Sequence, residues 1–308
     1  MLQYADLPKS SVSRALNNLG DRWSQLIVQE AFLGTTRFEE FRASTGIPRS
    51  TLSNRLQALM RNGVLTTHPC SEGARRVEYV LSERGLDLFN TLLMAWSWAM
   101  RWDMTTQSTP SALIHHDCGK AMIPKMVCAH CDGAVTLSSC RYTQGPGAGT
   151  ERIAIQRMHR RRLTGATRGD TAAGNNVDVN DLLGDRWLGL IISAQYFGIH
   201  RFDEIQSTLG IATNILADRL RILLANGIFD RRLYEVAPNR YEYLLTKKGT
   251  DLYPHALTLL TWGDKWLDDG LGPPVVIYHK PCDQKLETKV VCNVCRGTLT
   301  PHNTLIRR

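Results

Sequence analysis

The sequence lacks the features by which membrane, secreted and catalytic proteins are usually recognised. No apolar run approaches the roughly 20 residues of a membrane helix, and residues 1–11 lack the apolar stretch of a secretory signal. No phosphate-binding loop, Ser/His/Asp arrangement or paired-carboxylate motif is present in the sequence. We therefore expect a cytoplasmic protein with no membrane partner and no enzymatic activity.

Acidic residues are fewer than basic ones. The chain has 37 Lys and Arg against 29 Asp and Glu, which gives a formal net charge of +8, and its pI is near 9.2. This balance favours a polyanionic partner, nucleic acid first, although a merely basic soluble protein would show the same totals. The 308 residues are enough for about two ordinary domains.

The chain is one unit made twice. The run Leu-Gly-Asp-Arg-Trp at residues 19–23 returns at residues 183–187, and the two glycines are 184 − 20 = 164 positions apart. The same offset, without a gap, carries Trp98 onto Trp262 and Trp102 onto Trp266. A period this long indicates a duplicated domain rather than a solenoid, whose repeats run to roughly 20–50 residues.

Each unit has the pattern of a winged helix-turn-helix, so the predicted fold is mainly α with small β wings. Apolar periodicity and helix stop signals predict four helices, a β hairpin and one long helix. In the first unit we expect these elements at 12–19, 23–33, 37–45, 48–61, 64–81 and 82–102. In the second unit we expect the turn at 209–211, the helix after it at 213–224, the wing at 228–245 and the long helix at 247–267.

The helix after each turn is the candidate recognition helix, which buries one face and offers the other to the major groove. The inward positions of the two copies match, as Leu52, Leu56 and Leu59 do with Leu216, Leu220 and Leu223. The outward positions differ, and Asp218 in the second copy faces phosphates poorly. The two units are therefore expected to recognise different bases, the second more weakly. The alternative is that these are ordinary exposed helix residues.

Candidate DNA contacts lie on these helices, at the helix starts before them and in the wings. Arg and Asn make bidentate contacts to base edges, and wing cations follow the backbone. Arg55 and Arg219 either reach a phosphate or pair internally with an acid such as Glu40. The first unit offers Arg37, Arg49, Ser50, Thr51, Ser53, Asn54, Arg55, Gln57, Arg75 and Arg76. The second offers Arg201, Thr213, Asn214, Arg219, Arg221, Asn239 and Arg240.

These motifs together resemble the HxlR-type winged helix-turn-helix transcription regulators, in a tandem form. The resemblance covers about residues 11–103 and 176–267. It is carried by Gly34, Arg37, Phe38, Phe41, Leu52, Arg55, Leu56, Gly63, Glu78, Tyr79 and Gly85, and in the second unit by Gly198, Arg201, Phe202, Ile205, Leu216, Arg219, Gly227, Glu242 and Gly249.

Members of this family are usually homodimers joined through their first and last helices. The resemblance thus implies either that the two units form such a dimer within one chain or that the chain itself dimerises. Each Trp pair on the last helix either packs in that seam or within its own unit. Redox-sensing members carry a cysteine before the first helix; here Ser10 stands there, which leaves Cys70 in the wing as the obvious substitute.

Six of the eight cysteines fall into two identical patterns. Each is His-x-x-Cys, nine residues, then Cys-x-x-Cys, and two close-spaced pairs on facing turns are typical of zinc ribbons. We predict one structural Zn²⁺ per segment, two per chain. The ligands would be His115, Cys118, Cys128 and Cys131 in the first segment and His279, Cys282, Cys292 and Cys295 in the second. A redox-switched disulfide and metal sensing remain alternatives.

The predicted organisation has five parts. They are a winged helix-turn-helix at 11–104, a zinc-ribbon-like segment at 111–141, a linker at 142–175, a second winged helix-turn-helix at 176–270 and a second ribbon-like segment at 274–304. The predicted function is a sequence-specific DNA-binding transcription regulator, a repressor that binds an operator and responds to a small-molecule effector. The alternatives are a protein-interaction adaptor with degenerate DNA-binding units and a redox-responsive regulator that uses the cysteine segments.

Overall fold

The computed structural model of the chain describes residues 3–19, 21–69, 77–105, 109–155, 179–237 and 239–307. The first half contains β1 (Gln3–Pro8), α1 (Ser11–Leu19), α2 (Arg22–Phe32), α3 (Phe38–Thr45), α4 (Arg49–Arg61), β2 (Leu65–Pro69), β3 (Val77–Leu81), α5 (Glu83–Leu86), α6 (Phe89–Arg101), β4 (Ala112–His115), β5 (Lys120–Ala121), β6 (Pro124–Cys128), β7 (Cys140–Gln144) and β8 (Thr150–Ile155).

The second half repeats the order. It contains α7 (Val179–Gly184), α8 (Arg186–Tyr196), α9 (Phe202–Leu209), α10 (Thr213–Ala225), β9 (Phe229–Val236), β10 (Asn239–Leu245), α11 (Lys247–Thr250), α12 (Tyr253–Trp266), β11 (Val275–His279), β12 (Gln284–Lys285), β13 (Thr288–Cys292) and β14 (Thr304–Arg307). Along the residues that the structure describes, no helix is long and apolar enough to span a bilayer.

The aspartate of the repeated Leu-Gly-Asp-Arg-Trp run starts the second helix of each unit. Asp21 Oδ1 accepts hydrogen bonds from the backbone N–H groups of Trp23 and Ser24, at 2.9 and 3.2 Å. Asp185 Oδ1 does the same at the start of α8. A carboxylate at the N-cap satisfies N–H groups that the helix itself leaves without partners, and it complements the helix dipole.

The predicted helix-turn-helix is present in both units. Gly46 and Gly210 end α3 and α9 in the left-handed conformation, with φ of +66° and +59°, which glycine adopts without steric cost. The helix that follows buries its predicted apolar face, since Leu52, Leu56 and Leu59 are at most 1% exposed. This prediction of helix, turn and core face is confirmed.

The wing is also present, and it is tied to the third helix. Strands β2 and β3 pair antiparallel, as do β9 and β10. Tyr79 N–H donates to Thr36 O at 2.7 Å, and its counterpart Tyr243 donates to His200 O at 2.9 Å.

One prediction about this region is wrong. The single long helix expected at 82–102 is two, α5 and α6, with a break at Asp87–Leu88. Gly85 of α5 lies directly against Val64 O, where any Cβ would clash, so the one-turn helix is fixed to the base of the wing before the chain turns into α6. The second unit breaks in the same way at Asp251–Leu252.

The two units pack against one another through their first and last helices. Helix α1 lies along α12, and Gly263 of α12 brings its backbone against Ser11 O of α1. Arg22 also pairs with Asp181 of the other unit at 2.9 Å. The small residue at position 263 permits this close approach, because a side chain there would separate the two helices.

Equivalent tryptophans of the two units make equivalent contacts across this seam. Trp98 Nε1 donates to Lys248 O and Trp262 Nε1 donates to Arg84 O, each at 2.9 Å. Trp266 Nε1 donates to Asp87 Oδ2 at 2.8 Å. The sequence left open whether these rings pack across a seam, and these three do. The two halves are therefore related by an approximate twofold axis.

The expected linker at 142–175 is wrong over its first part. Residues 140–144 form β7, which pairs with β11 of the second half, and residues 150–155 form β8, which pairs with β1. Both strands are ordered by partners distant in sequence, which local composition does not reveal. The remainder, from residue 156 to 178, lies outside the described residues.

The cysteine-bearing segments exchange strands. Strand β4 of the first segment pairs with β14 of the second, and β11 of the second pairs with β7 of the first. Strands β6 and β13 pair with each other, and the central pair is Met126 with its own equivalent Val290. The expectation of two separate ribbon-like segments is therefore wrong, because their strands form sheets with each other.

Candidate metal centres and nucleic-acid interface

The eight predicted metal ligands come together in two groups, but each group draws on both segments. One consists of His115, Cys118, Cys292 and Cys295, and the other of Cys128, Cys131, His279 and Cys282. The predicted grouping within one segment is therefore wrong. The exchange follows from the paired strands β6 and β13, which run antiparallel and bring the Cys-x-x-Cys end of each segment to the His-x-x-Cys end of the other.

The ligand atoms have the spacing of a tetrahedral site. Within each group they all lie within 4.8 Å of one another. Cys118 Sγ is 4.0 Å from Cys292 Sγ, and Cys128 Sγ is 3.8 Å from Cys282 Sγ. Bond lengths to zinc of about 2.3 Å for sulfur and 2.0–2.1 Å for nitrogen imply edges of roughly 3.8 Å between sulfurs and 3.5 Å between nitrogen and sulfur.

The histidines face these groups through Nδ1. His115 Nδ1 lies 3.1 Å from Cys295 Sγ and 3.6 Å from Cys118 Sγ. His279 Nδ1 lies 3.3 Å from Cys131 Sγ. His279 Nε2 has a hydrogen-bond partner in Ala134 O at 3.3 Å, whereas His115 Nε2 lies 3.1 Å from Asp117 Oδ2 without hydrogen-bond geometry. Such outer partners set the orientation of a ligating imidazole.

The backbone of each Cys-x-x-Cys turn is shaped around the group. Asp132 and Arg296, one residue after the second cysteine, adopt the left-handed conformation at φ of +57° and +66°. Next come Gly133 and Gly297, where a Cβ would lie 2.9 and 2.8 Å from a histidine Cε1 of the same group. The glycine of each turn thus leaves room for the imidazole, and the residue before it adopts the left-handed conformation.

Backbone donors surround the buried thiols. Burial alone would raise the pKa of Cys128, but the backbone N–H groups of Cys131 and His130 and the neighbouring thiol of Cys282 outweigh it and lower that pKa. Cys292 has the equivalent environment and the same direction. Three sulfurs and one nitrogen at tetrahedral spacing, with backbone donors that favour the thiolate at Cys128 and Cys292, fit a structural zinc ion, and such a set has no open position for catalysis.

The outward positions of the recognition helix α4 lie at the surface. Ser50, Asn54 and Gln57 are exposed, and Thr51 and Ser53 are half-buried. Arg49 is 70% exposed and pairs with Glu39 of α3 at 2.9 Å. An exposed pair of this kind is worth about 0–1 kcal/mol, so Arg49 is free to exchange Glu39 for another partner.

Arg55 and Arg219 pair with acids of their own units. Arg55 Nε lies 2.8 Å from Asp21 Oδ2, and Arg219 binds Asp185 Oδ2 through NH2 at 2.7 Å and Nε at 2.9 Å. The internal partner is thus the capping aspartate rather than Glu40. These ion pairs hold the recognition helix against the second helix, and a phosphate contact by either arginine stays a prediction.

Arg37 and Arg201 tie the third helix to the wing. Arg37 Nε is 3.4 Å from Glu78 Oε1, and Arg201 Nε is 3.5 Å from Glu242 Oε1. Both side chains remain partly exposed, at 62% and 45%, so a contact with DNA stays a prediction.

The second recognition surface is more neutral than the first. Thr213, Asn214 and Arg221 are exposed, but Arg221 pairs with Asp218 at 2.9 Å. In the second wing Arg240 pairs with Glu235 at 3.4 Å, and the neighbouring Asn239 is exposed. Among the other candidates, Arg75, Arg76 and Cys70 lie outside the described residues.

Some functional features were missed from sequence. The joint role of Asp21 and Asp185 as helix caps and ion-pair partners was not predicted, although their invariance between the two copies was a usable signal. A cavity between the second unit and the cysteine-bearing sheets was not predicted either, because it depends on differences between the copies that only packing reveals.

Comparison with known proteins identifies a family for both winged helix-turn-helix units. The family model described as "HxlR-like helix-turn-helix" matches residues 18–107 and 182–270. An uncharacterised HTH-type transcriptional regulator of Mycobacterium tuberculosis, Rv3095, is 39% identical over 123 residues, 40% of this chain and 78% of that protein. The HTH-type transcriptional regulator YodB of Bacillus subtilis is 36% identical over 103 residues, 33% of this chain and 92% of that protein.

The solved structure of PA1607, described as a putative transcription factor, aligns with a TM-score of 0.35 at 32% identity, over 40% of this chain and 85% of its own. The two family matches together cover more than half of the chain and coincide with the two units that carry Leu-Gly-Asp-Arg-Trp. The chain therefore belongs to the HxlR-like helix-turn-helix family, of which it contains two copies.

Proposed function

We propose that this protein is a sequence-specific DNA-binding transcription regulator whose two winged helix-turn-helix units form a pseudo-dimer within one chain. The observation that carries the proposal is the pairing of two family units through their first and last helices, with both recognition helices left at the surface. A second copy of the chain is then not needed to present two recognition helices.

The two units are proposed to recognise different half-sites. Arg49, Asn54 and Gln57 of α4 are replaced by Thr213, Asp218 and Arg221 in α10. A good bidentate contact is worth about 1–3 kcal/mol of discrimination, so these replacements are sufficient to change base preference. The operator is accordingly proposed to be non-palindromic, with most of the affinity in the half-site bound by the first unit.

Two structural zinc ions are proposed to hold the cysteine-bearing sheets together. The support is the donor set and its spacing, and the fact that each group joins residues from both halves. When bound, zinc would cross-link the two halves of the chain. The pairing of strands between the two segments holds the rest of the sheets together. Thiolate ligands of this kind persist in a reducing compartment, which is the basis for proposing a cytoplasmic location.

Repression is the proposed direction of regulation. A recognition helix and wing seated on an operator occupy DNA that polymerase would otherwise contact. The support is the paired geometry of the two units alone, and an operator placed over or beside a reporter promoter tests the direction.

The test of DNA binding is sequence selection on the purified full-length chain, followed by affinity measurements over a salt series. We expect enrichment of one asymmetric site and a log–log salt slope of about −0.9 per neutralised phosphate. Arg49→Ala and Asn54→Ala should relax preference in one half-site, and Asn214→Ala in the other. Lys125→Ala, which removes an exposed charge from β6, and Asn17→Ala on α1 serve as matched controls.

The outcomes separate the alternatives. Recognition-helix variants that leave sequence preference unchanged would show that α4 does not contact bases. A chain that selects no sequence and does not bind DNA at moderate salt, yet retains a stable protein partner, would favour the interaction adaptor.

A further inference from the structure

A cavity lies where the second unit meets the cysteine-bearing sheets. Its volume is about 280 Å³, just below the roughly 300–1,000 Å³ typical of small-molecule sites. Helices α8 and α12 form one wall, strands β7 and β11 form another, and Val12 of α1 reaches it from the first unit. An occupant would therefore touch both units and the sheet that joins them.

The inner part of the cavity is apolar, and its polar groups are already satisfied. Tyr196 OH donates to Gly249 O at 3.3 Å, and Ser193 Oγ donates to Gly189 O at 2.8 Å. Ser139 Oγ lies 3.9 Å from Cys140 Sγ. Burial raises the pKa of the Cys140 thiol, so this group stays neutral. The inner wall therefore suits a hydrocarbon body and offers it aromatic surfaces.

Lys280 lies at the mouth of the cavity, beside the exposed Tyr142. Lys280 Nζ donates to Ser138 O at 2.8 Å, which uses one of its three N–H donors. The Arg141 side chain lies on the other face of β7, where its guanidinium stacks over the Tyr278 ring, 4.3 Å from the ring centroid, and pairs with Asp283 at 2.6 Å. Among the described residues that line the cavity, none is acidic.

The first unit holds larger residues at the equivalent inner positions. Trp96 stands where the cavity has Leu260, and it is 3% exposed. Gln29 stands for Ser193, and His116 for Lys280. The same fold is thus packed with a bulky indole on one side, while the other side combines a small residue with a lysine at the mouth.

We propose that this cavity binds a small organic anion with a monocyclic or bicyclic apolar body and a carboxylate head. The body lies against Tyr196, Tyr253 and Leu257, and the carboxylate meets Lys280 at the mouth. Apolar burial supplies most of the affinity, and the charge-assisted hydrogen bonds select the acid over neutral molecules of the same shape. As the effector site of the proposed regulator, this assignment rests on the proposed function.

Calorimetry on the full-length chain tests the proposal, with naphthalene-2-carboxylate and the isosteric 2-naphthamide as probes. We expect the carboxylate to bind roughly tenfold more tightly than the amide, because a hydrogen bond to a charged group contributes on this scale. Lys280→Gln should remove that preference and leave the affinity for the amide unchanged, whereas Arg141→Gln, on the other face of β7, should leave both affinities unchanged. Leu260→Trp, which copies Trp96, should abolish binding of both.

The controls keep the test decisive. Leu271→Trp adds the same ring at a residue that is 57% exposed, and it should leave binding intact. If Leu260→Trp fails to fold, Ser193→Gln, which copies Gln29, takes its place. Equal affinity for acid and amide, binding that survives both filled variants, or no binding by a series from benzoate to naphthoate up to about 1 mM would overturn the proposal.

The failure of the regulator and the failure of the ligand site are separable. Ligand binding is measured on the free chain, so it does not require an operator. A chain that binds the carboxylate but selects no DNA sequence would refute the proposed function alone, and a chain that selects DNA but fails the ligand test would refute the cavity assignment alone.

Discussion

Because each metal group draws on both halves of the chain, the choice of which two cysteines are removed decides how many intact centres remain. Cys118→Ser with Cys295→Ser removes two ligands from one group and leaves the other complete. Cys118→Ser with Cys131→Ser removes one ligand from each group. If the ligands belonged to separate segments, the two double variants would exchange roles. Cys140→Ser, outside both groups, is the matched control.

The expected difference is large enough to measure as metal content. Structural zinc sites bind with about 10–16 kcal/mol, so one of four ligands contributes about 3 kcal/mol, or about a hundredfold in affinity. The assay is elemental analysis after dialysis against a chelator at a concentration at which the unaltered chain keeps both ions. We expect one resistant ion in the first double variant, none in the second and two in the control.

The exchange of ligands between the two halves also predicts how much a bound ion stabilises the folded chain. A link between Cys128 and Cys282, in the group that the first double variant keeps, spans 154 residues, and closing such a loop removes about 5 kcal/mol of entropy from the unfolded chain, against about 3 kcal/mol for a link within one segment. Urea unfolding of the first double variant with and without chelator measures this term. One resistant ion in Cys118→Ser with Cys131→Ser, together with none in the other double variant, would refute the exchanged arrangement.

Two further predictions concern the seam and the recognition helix. His255, whose Nδ1 lies 3.2 Å from Thr91 O, has its pKa lowered to about 4 by burial. Below a pH of about 6.5, His255 is therefore protonated in the unfolded chain but stays neutral in the folded chain. The free energy of unfolding should accordingly fall by about 3 kcal/mol from pH 6.5 to 4. His255→Thr should flatten that fall in urea titrations at several pH values, and an unchanged profile would rule out His255 as its cause. Asp185→Asn should lower the free energy of unfolding by about 1–3 kcal/mol, because Arg219 loses its charged partner in a half-buried site. Asp218→Asn breaks an exposed pair and should lower it by about 0–1 kcal/mol. Equal losses in urea unfolding would show that the half-buried pair does not stabilise the fold.

The sequence predicts the winged units well because their signals are local. An N-cap aspartate, a left-handed glycine after α3 and three leucines at helical spacing each act within one element. The exchange of ligands was not predictable in this way. Both segments carry the same spacing, so a His-x-x-Cys pair satisfies the Cys-x-x-Cys pair of either segment equally well. The choice is made by the pairing of β6 with β13 and by α1 against α12, which are contacts between residues far apart in the chain.

The cavity illustrates a second limit of prediction from sequence. Leu260 and Trp96 are both apolar residues on the inner face of the last helix, and a periodicity argument treats them alike. Only their surroundings show that one side has room for a ligand. The role of Arg55 was likewise undecidable from spacing, since a phosphate and an acid such as Glu40 were both open as partners, and Asp21 was recognised only once α2 and α4 were placed side by side.

The packing of α1 along α12 within one polypeptide has a consequence for how the protein responds to dilution. Subunits of an ordinary dimer separate as their concentration falls, and binding to an operator then depends on two coupled equilibria. Two units joined by one chain meet at an effective concentration in the millimolar range, whatever the number of molecules present. A saturation curve on a full operator should therefore follow a simple one-site isotherm down to the lowest protein concentrations, and occupancy should change in proportion to the amount of protein.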